Sequence, residues 1–253
     1  MQTALVTGAS RGIGRATALA LSRRGERVAV HYGTDRASAE RTRDLLDGEG
    51  HILVGGDLSD PDTAQQVVND VEAAFGRIDI LVNNAAIAPS AATQHRLTDT
   101  DYETWRRVWV RMLDVDLQAP ANMTYLVARG LIARAAPGVI VNVGSRGAFR
   151  GEPDFPAYGA AKAGLHAFGQ SMAVALAPHG IAVATVAPGF IGTDRQQPKL
   201  ASDAGDELRA QSPFGRVGTA EEVAAAIVYL TSPDAQLASG AILDLNGASH
   251  LRT

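Results

Sequence analysis

Seven short apolar runs recur along this sequence, at residues 3–6, 28–31, 51–54, 78–82, 139–143, 181–186 and 241–245, and longer amphipathic segments separate them. The runs are rich in Val, Ile and Leu and alternate little with polar residues, the pattern of strands covered on both faces. Short strands alternating with helical segments from end to end predict βαβ units, a mainly parallel sheet and helices on both of its faces. The expected fold class is therefore α/β, a doubly wound Rossmann-type sheet. At roughly 150 residues per domain, a chain of 253 residues fits one large domain or two small ones. With no linker, repeat or low-complexity tract in view, residues 1–253 read as a single domain. Several helix starts are legible: Asp60 before Pro61 reads as an N-cap followed by proline in the first turn, and Thr219 with Glu222 as a capping box. Thr100 with Glu103 repeats that box. The segment 100–136 is too long for one ordinary helix, and Pro120 is expected to kink or divide it.

Composition narrows the function classes. Hydrophobic residues at 46% and charged residues at 20% are ordinary globular usage and supply a sizeable core, which excludes whole-chain disorder. Lys plus Arg number 23 against 27 Asp plus Glu, a net charge of −4. That balance offers no basic field for nucleic acid or for an anionic membrane. Zero cysteines exclude disulfides, thiolate metal sites and a cysteine nucleophile, and the six histidines show no metal spacing, so no metal site is expected. Charge or proline interrupts every apolar stretch before membrane length, and no charged leader precedes the first run. The expectation is a soluble, cytoplasmic protein whose partners are small molecules or other proteins.

After the first run comes Thr7-Gly8-Ala9-Ser10-Arg11-Gly12-Ile13-Gly14, opening into an amphipathic segment at 15–24. Glycines between a strand and a helix let a pyrophosphate approach backbone N–H groups at the positive end of the helix. The spacing of Gly8, Gly12 and Gly14 differs from the GxGxxG dinucleotide fingerprint. Further along, Asp57 follows the third run, Asn83-Asn84-Ala85-Ala86 the fourth, Ser145 the fifth, and Pro188-Gly189-Phe190-Ile191-Gly192-Thr193 the sixth. In open α/β sheets ligands bind at the carboxyl ends of the strands. These features are thus expected to converge on one edge, although 180 positions separate Gly8 from Pro188. Tyr158 lies thirteen residues after Ser145, and Lys162 four after Tyr158, a separation that sets phenol and ammonium on one helix face. There the cation is expected to favour tyrosinate and lower the phenol pKa.

These motifs resemble the short-chain dehydrogenase/reductase family over nearly the whole chain, to the closing Asp244-Leu245-Asn246-Gly247. The overall pattern is similar to the ketoreductases of that family, including 3-oxoacyl-carrier-protein reductases. The resemblance implies a cofactor-binding set of Gly8, Ser10, Arg11, Gly12, Ile13, Gly14, Tyr32, Asp57, Leu58, Asn84, Ala85, Pro188, Gly189, Ile191 and Thr193, shared with Tyr158 and Lys162. It implies that Tyr158 donates a proton to the substrate oxygen, that Ser145 hydrogen-bonds that oxygen, and that Lys162 holds the nicotinamide ribose. Two positions depart from the family: Ala86 stands for its usual glycine, and Val115-Asp116-Leu117 places an aspartate where an active-site asparagine is usual. Asp116 is kept as a catalytic candidate.

The implied activity is hydride transfer between NADP(H) and a ketone or secondary alcohol, with a 3-oxoacyl-like carbonyl reductase favoured. NADP(H) is preferred over NAD(H) because His31-Tyr32-Gly33 ends the second run without a carboxylate, while Arg11, helped by Thr34 and Arg36, is available to an extra phosphate. The alternatives are an NAD-dependent alcohol or sugar dehydrogenase and a dinucleotide-sensing binding protein with weakened catalysis. Expected partners are a small carbonyl or alcohol substrate, a carrier-bound acyl group among the options, and further copies of the chain in a homo-tetramer or homodimer. A polar loop at 193–212 and the stretch 146–155 are read as setting specificity. Arg146 and Arg150 in the latter read first as solvated surface and second as an attraction for an anionic carrier or acyl arm.

Overall fold

The computed structural model describes residues 1–193 and 200–252. Strands β1 (Thr3–Val6), β2 (Arg27–Tyr32), β3 (Ile52–Gly55), β4 (Ile80–Asn83), β5 (Gly138–Val143), β6 (Ile181–Pro188) and β7 (Ile242–Leu245) form one sheet in the order β3-β2-β1-β4-β5-β6-β7. Every pairing is parallel. Each of the seven runs is a strand, with ends that match or move by at most two residues.

The helices are α1 (Gly12–Arg24), α2 (Arg36–Asp44), α3 (Pro61–Phe75), α4 (Tyr102–Leu113), α5 (Ala119–Ala133), the short α6 (Gly147–Arg150), α7 (Pro156–Leu176), α8 (Asp203–Ala210) and α9 (Ala220–Leu230). Side chains alternate across the sheet, so Ala4 and Val6 join the core under α1, α2 and α9, while Leu5 joins the core under α3, α5 and α7. Both faces are covered by helices, which is why the strands lack polar alternation.

The caps follow local chemistry. Asp60 accepts from Asp62 N at the start of α3, and Thr219 and Glu222 form the reciprocal box on α9. At α4 the cap is Asp101, which accepts from Thr104 N at 2.8 Å, one residue past the expected Thr100. The long segment divides at a π-helical turn, Asp114–Gln118, in which Ala119 N donates to Asp114 O. Pro120 falls in the first turn of α5. Its missing N–H leaves the Asp116 carbonyl without the usual α-helical donor, which favours the wider turn. The stretch read as one long loop contains α8, and its residues 194–199 lie outside the described residues. Among the described residues, no helix is long and apolar enough to cross a membrane.

Candidate active site

Strand β1 pairs with β2 on one side and β4 on the other, so the chain's connections leave in opposite directions there and a crevice opens at the carboxyl ends. Gly8 and Gly12 have φ of 63° and 55°, a left-handed conformation that costs glycine little. A Cβ on Gly14 would stand 2.4 Å from Gly8 O and 2.5 Å from Asn84 Nδ2. The turn is also tied to β4: Asn84 Nδ2 donates to Thr7 O at 2.8 Å and Gly8 O at 3.0 Å, and Thr7 Oγ1 accepts from the amides of Asn84 and Ala85. Among the described residues, no side chain caps the start of α1. Its first amides therefore face a groove of about 420 Å³ lined by Ser10, Arg11, Asp57, Leu58, Ala85 and Thr193 among others. Bare N–H groups beside a turn with no room for side chains fit a pyrophosphate.

Asp57 is not isolated at the rim. Arg111 of α4 donates to it at 2.6 Å, and Ser59 caps its other side. Partial burial pushes its carboxyl up, but the hydrogen bonds from Arg111 and Ser59 outweigh it and hold it below the usual range. The groove also contains Asp35, a carboxylate beyond the His31-Tyr32-Gly33 segment, which caps α2 by accepting from Ser38 N at 3.0 Å.

The groove shares Asn84, Ala86, Ala88 and Thr193 with a cavity of about 670 Å³ that holds Ser145, Tyr158 and Lys162. Lys162 Nζ donates to Val143 O at 3.1 Å and lies 3.7 Å from Asp116 Oδ2, too far for a hydrogen bond but close enough for strong attraction. Asp116 is fully buried on the π turn. Its Oδ1 accepts from Ile87 N at 2.7 Å, while Oδ2 has no hydrogen-bond partner among the described residues. Burial raises its pKa, opposed by the Lys162 charge. Burial lowers that of Lys162, opposed by Asp116.

Burial also raises the Tyr158 phenol, with Asp116 and Glu152 adding to the push and the Ser145 hydrogen bond opposing it. This reverses the expected lowering by lysine. The ammonium stands 5.8 Å from the ring centroid, and its contacts are spent on Val143 and Asp116. The phenol of Tyr158 is accordingly held in its protonated form at neutral pH.

Three histidines brace these elements through backbone amides. His31 Nδ1 accepts from Gly8 N at 3.1 Å and Nε2 meets Gly56 O at 3.1 Å. His95 Nε2 accepts from Ala157 N at 3.0 Å, next to Tyr158, and His166 Nε2 accepts from Ser145 N at 3.3 Å. A ring nitrogen that accepts from an amide must carry a lone pair, and burial lowers the pKa of His31 and His166, so these two rings are neutral. None of the three belongs to a spacing motif, and a lone histidine in an apolar setting carries no sequence signal of this role.

Comparison with known proteins places this geometry. The family described as Enoyl-(Acyl carrier protein) reductase matches residues 8–250. The 3-oxoacyl-acyl-carrier-protein reductase FabG of Escherichia coli strain K12 is 36% identical over 248 residues, covering 98% of this chain and 97% of its own. The chain belongs to the short-chain dehydrogenase/reductase family. As a family member it is an oxidoreductase. Other short-chain dehydrogenase/reductase relatives act on different substrates. L-rhamnose 1-dehydrogenase (NAD(P)(+)) of Sphingomonas sp. strain SKA58 is 35% identical, covering 99% of this chain and 96% of its own. Cis-4-hydroxycyclohexanecarboxylate dehydrogenase of Sinomonas cyclohexanicum is 38% identical, covering 97% and 95%. A crystal structure described as ribose-5-phosphate isomerase from Brucella melitensis 16M aligns with a TM-score of 0.88 at 30% identity, covering 98% of this chain and 91% of that one.

The short-chain dehydrogenase/reductase scaffold brings most of the anticipated residues together. Gly8, Ser10, Arg11, Gly12, Asp57, Leu58, Asn84, Ala85 and Thr193 line the groove, and Ile13, Asn84, Ser145, Tyr158, Lys162, Pro188, Gly189, Ile191 and Thr193 line the cavity. Gly14 acts from behind, as the close-packed partner of Gly8. Asp116 stands behind Lys162 and outside the cavity lining. Tyr32 is not brought to the groove lining: a Cβ on Gly55 of β3 would meet its ring at 2.4 Å. Arg36 is exposed and engaged with Glu40 at 2.9 Å one turn on. Arg146 corrects the reading as solvated surface, because it is buried, whereas Arg150 is exposed. Among the described residues, no group of three or more His, Asp or Glu side chains could hold a metal.

Proposed function

We propose that this protein is an NADPH-dependent reductase of ketones. The observation that carries the reading is a neutral, half-buried Tyr158 beside Ser145 and Lys162 in a cavity continuous with the glycine-turn groove. A nicotinamide dinucleotide bound there supplies hydride to the carbonyl carbon. The α1 amides and the Gly8 turn would hold the pyrophosphate, Lys162 the nicotinamide-side ribose, and Thr193 the carboxamide. Tyr158 donates its proton to the substrate oxygen, and Ser145 hydrogen-bonds the same atom as negative charge develops. FabG's name supports a 3-oxoacyl-like substrate, with a carrier-bound acyl group among those to be tried. A homo-tetramer or homodimer in the cytoplasm completes the proposal.

Arg11 lines the groove beside Thr34, and the carboxylate of Asp35, which precedes α2, is occupied as that helix's cap. A 2′-phosphate therefore meets a guanidinium there. Initial rates with NADPH and NADH side by side, over a ketone panel that includes acyl thioesters, test the assignment. NADPH is expected to give a kcat/KM on the order of tenfold higher or more, with Arg11→Ala removing most of that margin. Equal or better NADH turnover, together with an indifferent Arg11→Ala, transfers the protein to the NAD-dependent alternative. Absence of turnover despite nucleotide binding supports the sensor.

Asp116 gives a second expected result. Its negative charge opposes tyrosinate, the form needed when an alcohol is oxidised, whereas reduction uses the neutral phenol. Asp116→Asn is expected to lower the basic-side pKa of alcohol oxidation by about one unit and to change ketone reduction less. The kinetic pKa belongs to the Asp116, Lys162 and Tyr158 cluster together. Initial-rate pH profiles in both directions decide it, and an unmoved or raised oxidation pKa removes Asp116 from the charge argument.

A further inference from the structure

Arg146 follows Ser145 directly, yet only 6% of its surface is exposed. Its guanidinium donates to two neutral oxygens, Ser249 Oγ at 2.5 Å and Gln211 Oε1 at 3.0 Å, and among the described residues it forms no ion pair. The surrounding carboxylates are engaged with other arginines: Asp244 with Arg252 at 2.7 Å, Glu222 with Arg216 at 2.6 Å, Asp154 with Arg96 at 2.6 Å, and Glu152 with Arg150 at 3.7 Å. Arg150 Nη1 reaches the same Gln211 oxygen at 3.5 Å. Two guanidinium groups thus converge on one amide oxygen. Burying a cation against neutral acceptors is costly, and an anion at that point would offset the cost.

Arg146 and Arg150 both line the cavity of Ser145 and Tyr158. Arg146 also lines a second chamber of about 350 Å³, sharing the partition between the two with Phe190, Ile191 and Leu208. Because Glu152 offsets Arg150, the uncompensated charge is that of one guanidinium, which matches a monoanion.

We propose that Arg146, with Arg150 at its rim, forms an anion subsite of the catalytic cavity, and that the substrate is a carbonyl or alcohol compound bearing a carboxylate, which takes the place of the Gln211 oxygen. This rests on the reading of the cavity as a carbonyl-reducing site and adds a substrate class to it. A carboxylate accepts both arms of a guanidinium in one plane, which a neutral amide oxygen cannot do.

The test uses 3-oxobutanoate, 4-oxopentanoate and 5-oxohexanoate, each beside its ethyl ester. Reduction is followed with NADPH, and binding to the protein loaded with NADP+ is followed by calorimetry. At least one acid is expected to exceed its ester by on the order of ten- to a hundredfold in kcat/KM or in affinity. Arg146→Met brings that ratio to within about threefold of one, Arg146→Lys retains more of it, and Arg150→Gln lowers it in part. Thermal melts follow the fold of each variant, since Arg146 also ties down Ser249. If Arg146→Met does not fold, the exposed Arg150→Gln decides, and an unchanged ratio there overturns the proposal. Esters equal to or better than acids at every length also overturn it; if they are reduced, the carbonyl-reductase reading stands. Acids that bind through Arg146 without any compound being reduced support the subsite and remove the reductase reading.

Discussion

Tyr158→Phe is expected to lower kcat for ketone reduction by about two to four orders of magnitude, the usual worth of a positioned proton donor. The substitution removes the hydroxyl and keeps the ring, which packs with Met112, Ala157 and Ala161. Stability and nucleotide affinity should therefore change little. Burial makes the phenol a poor acid in bulk terms, yet proton transfer is coupled to charge growing on the substrate oxygen beside it, and Ser145 shares that charge. Lys162 retains its bond to Val143 O, so the nucleotide side of the cavity is not dismantled. Single-turnover rates combined with titration calorimetry against NADPH separate the two effects. A variant with half the wild-type rate would mean that another group supplies the proton.

The second large effect is a loss of stability in mild acid. His31 and His166 are buried as neutral acceptors, and burial lowers both from an ordinary 6.5 to about 4. For His31 the Gly56 carbonyl and Asp57 oppose that shift; for His166 the Lys162 and Arg252 charges add to it and Asp244 opposes it. In the unfolded chain both rings protonate as pH falls through 6.5, while in the folded chain they resist until about 4. The unfolded state thus binds more protons across that window, and stability is full above it and falls steadily within it. The displacement corresponds to about 3 kcal/mol for each histidine. Asp116, raised by burial, acts in the opposite sense and trims the total. Urea midpoints measured from pH 7.5 down to about 4.5 should decline, and His31→Gln should reduce the slope by about half. Midpoints that stay level across the window would mean that neither ring is held neutral. Protonation also turns each acceptor into a donor facing an amide, so the Gly8 turn and the Ser145 loop loosen together with the fold.

The seven strands, the glycine turn and the Ser145, Tyr158, Lys162 constellation were legible in the sequence because each rests on local spacing, whereas the order of the strands in the sheet is set by pairings distant in the chain. Asp60 and Thr219 announced their helices for the same reason. What escaped depends on partners distant in the chain. Arg111 meets Asp57 across 54 positions, His95 reaches Ala157 across 62, and Arg146 reaches Ser249 across 103. No short window holds both members of such a pair. The direction of the Tyr158 shift was missed because helical spacing reports who stands beside whom and says nothing of burial. Thr100 misled by one position because Asp101, an equally good cap, is adjacent.

The π turn at Asp114–Gln118 has a consequence for how α4 and α5 divide their labour. An α-helix advances about 100° per residue, so one extra residue in a turn rotates everything after it by that angle without any loop. Before the turn, α4 buries Met112 and sends Arg111 to the rim of the groove; after it, α5 buries Met123, Val127 and Leu131 under the sheet. The turn acts as a phase shifter in a continuous rod, letting one half be dressed for ligand and the other for core. Excising a single residue there would restore a uniform helix whose two faces no longer match their surroundings, which makes the length of this segment less negotiable than its composition.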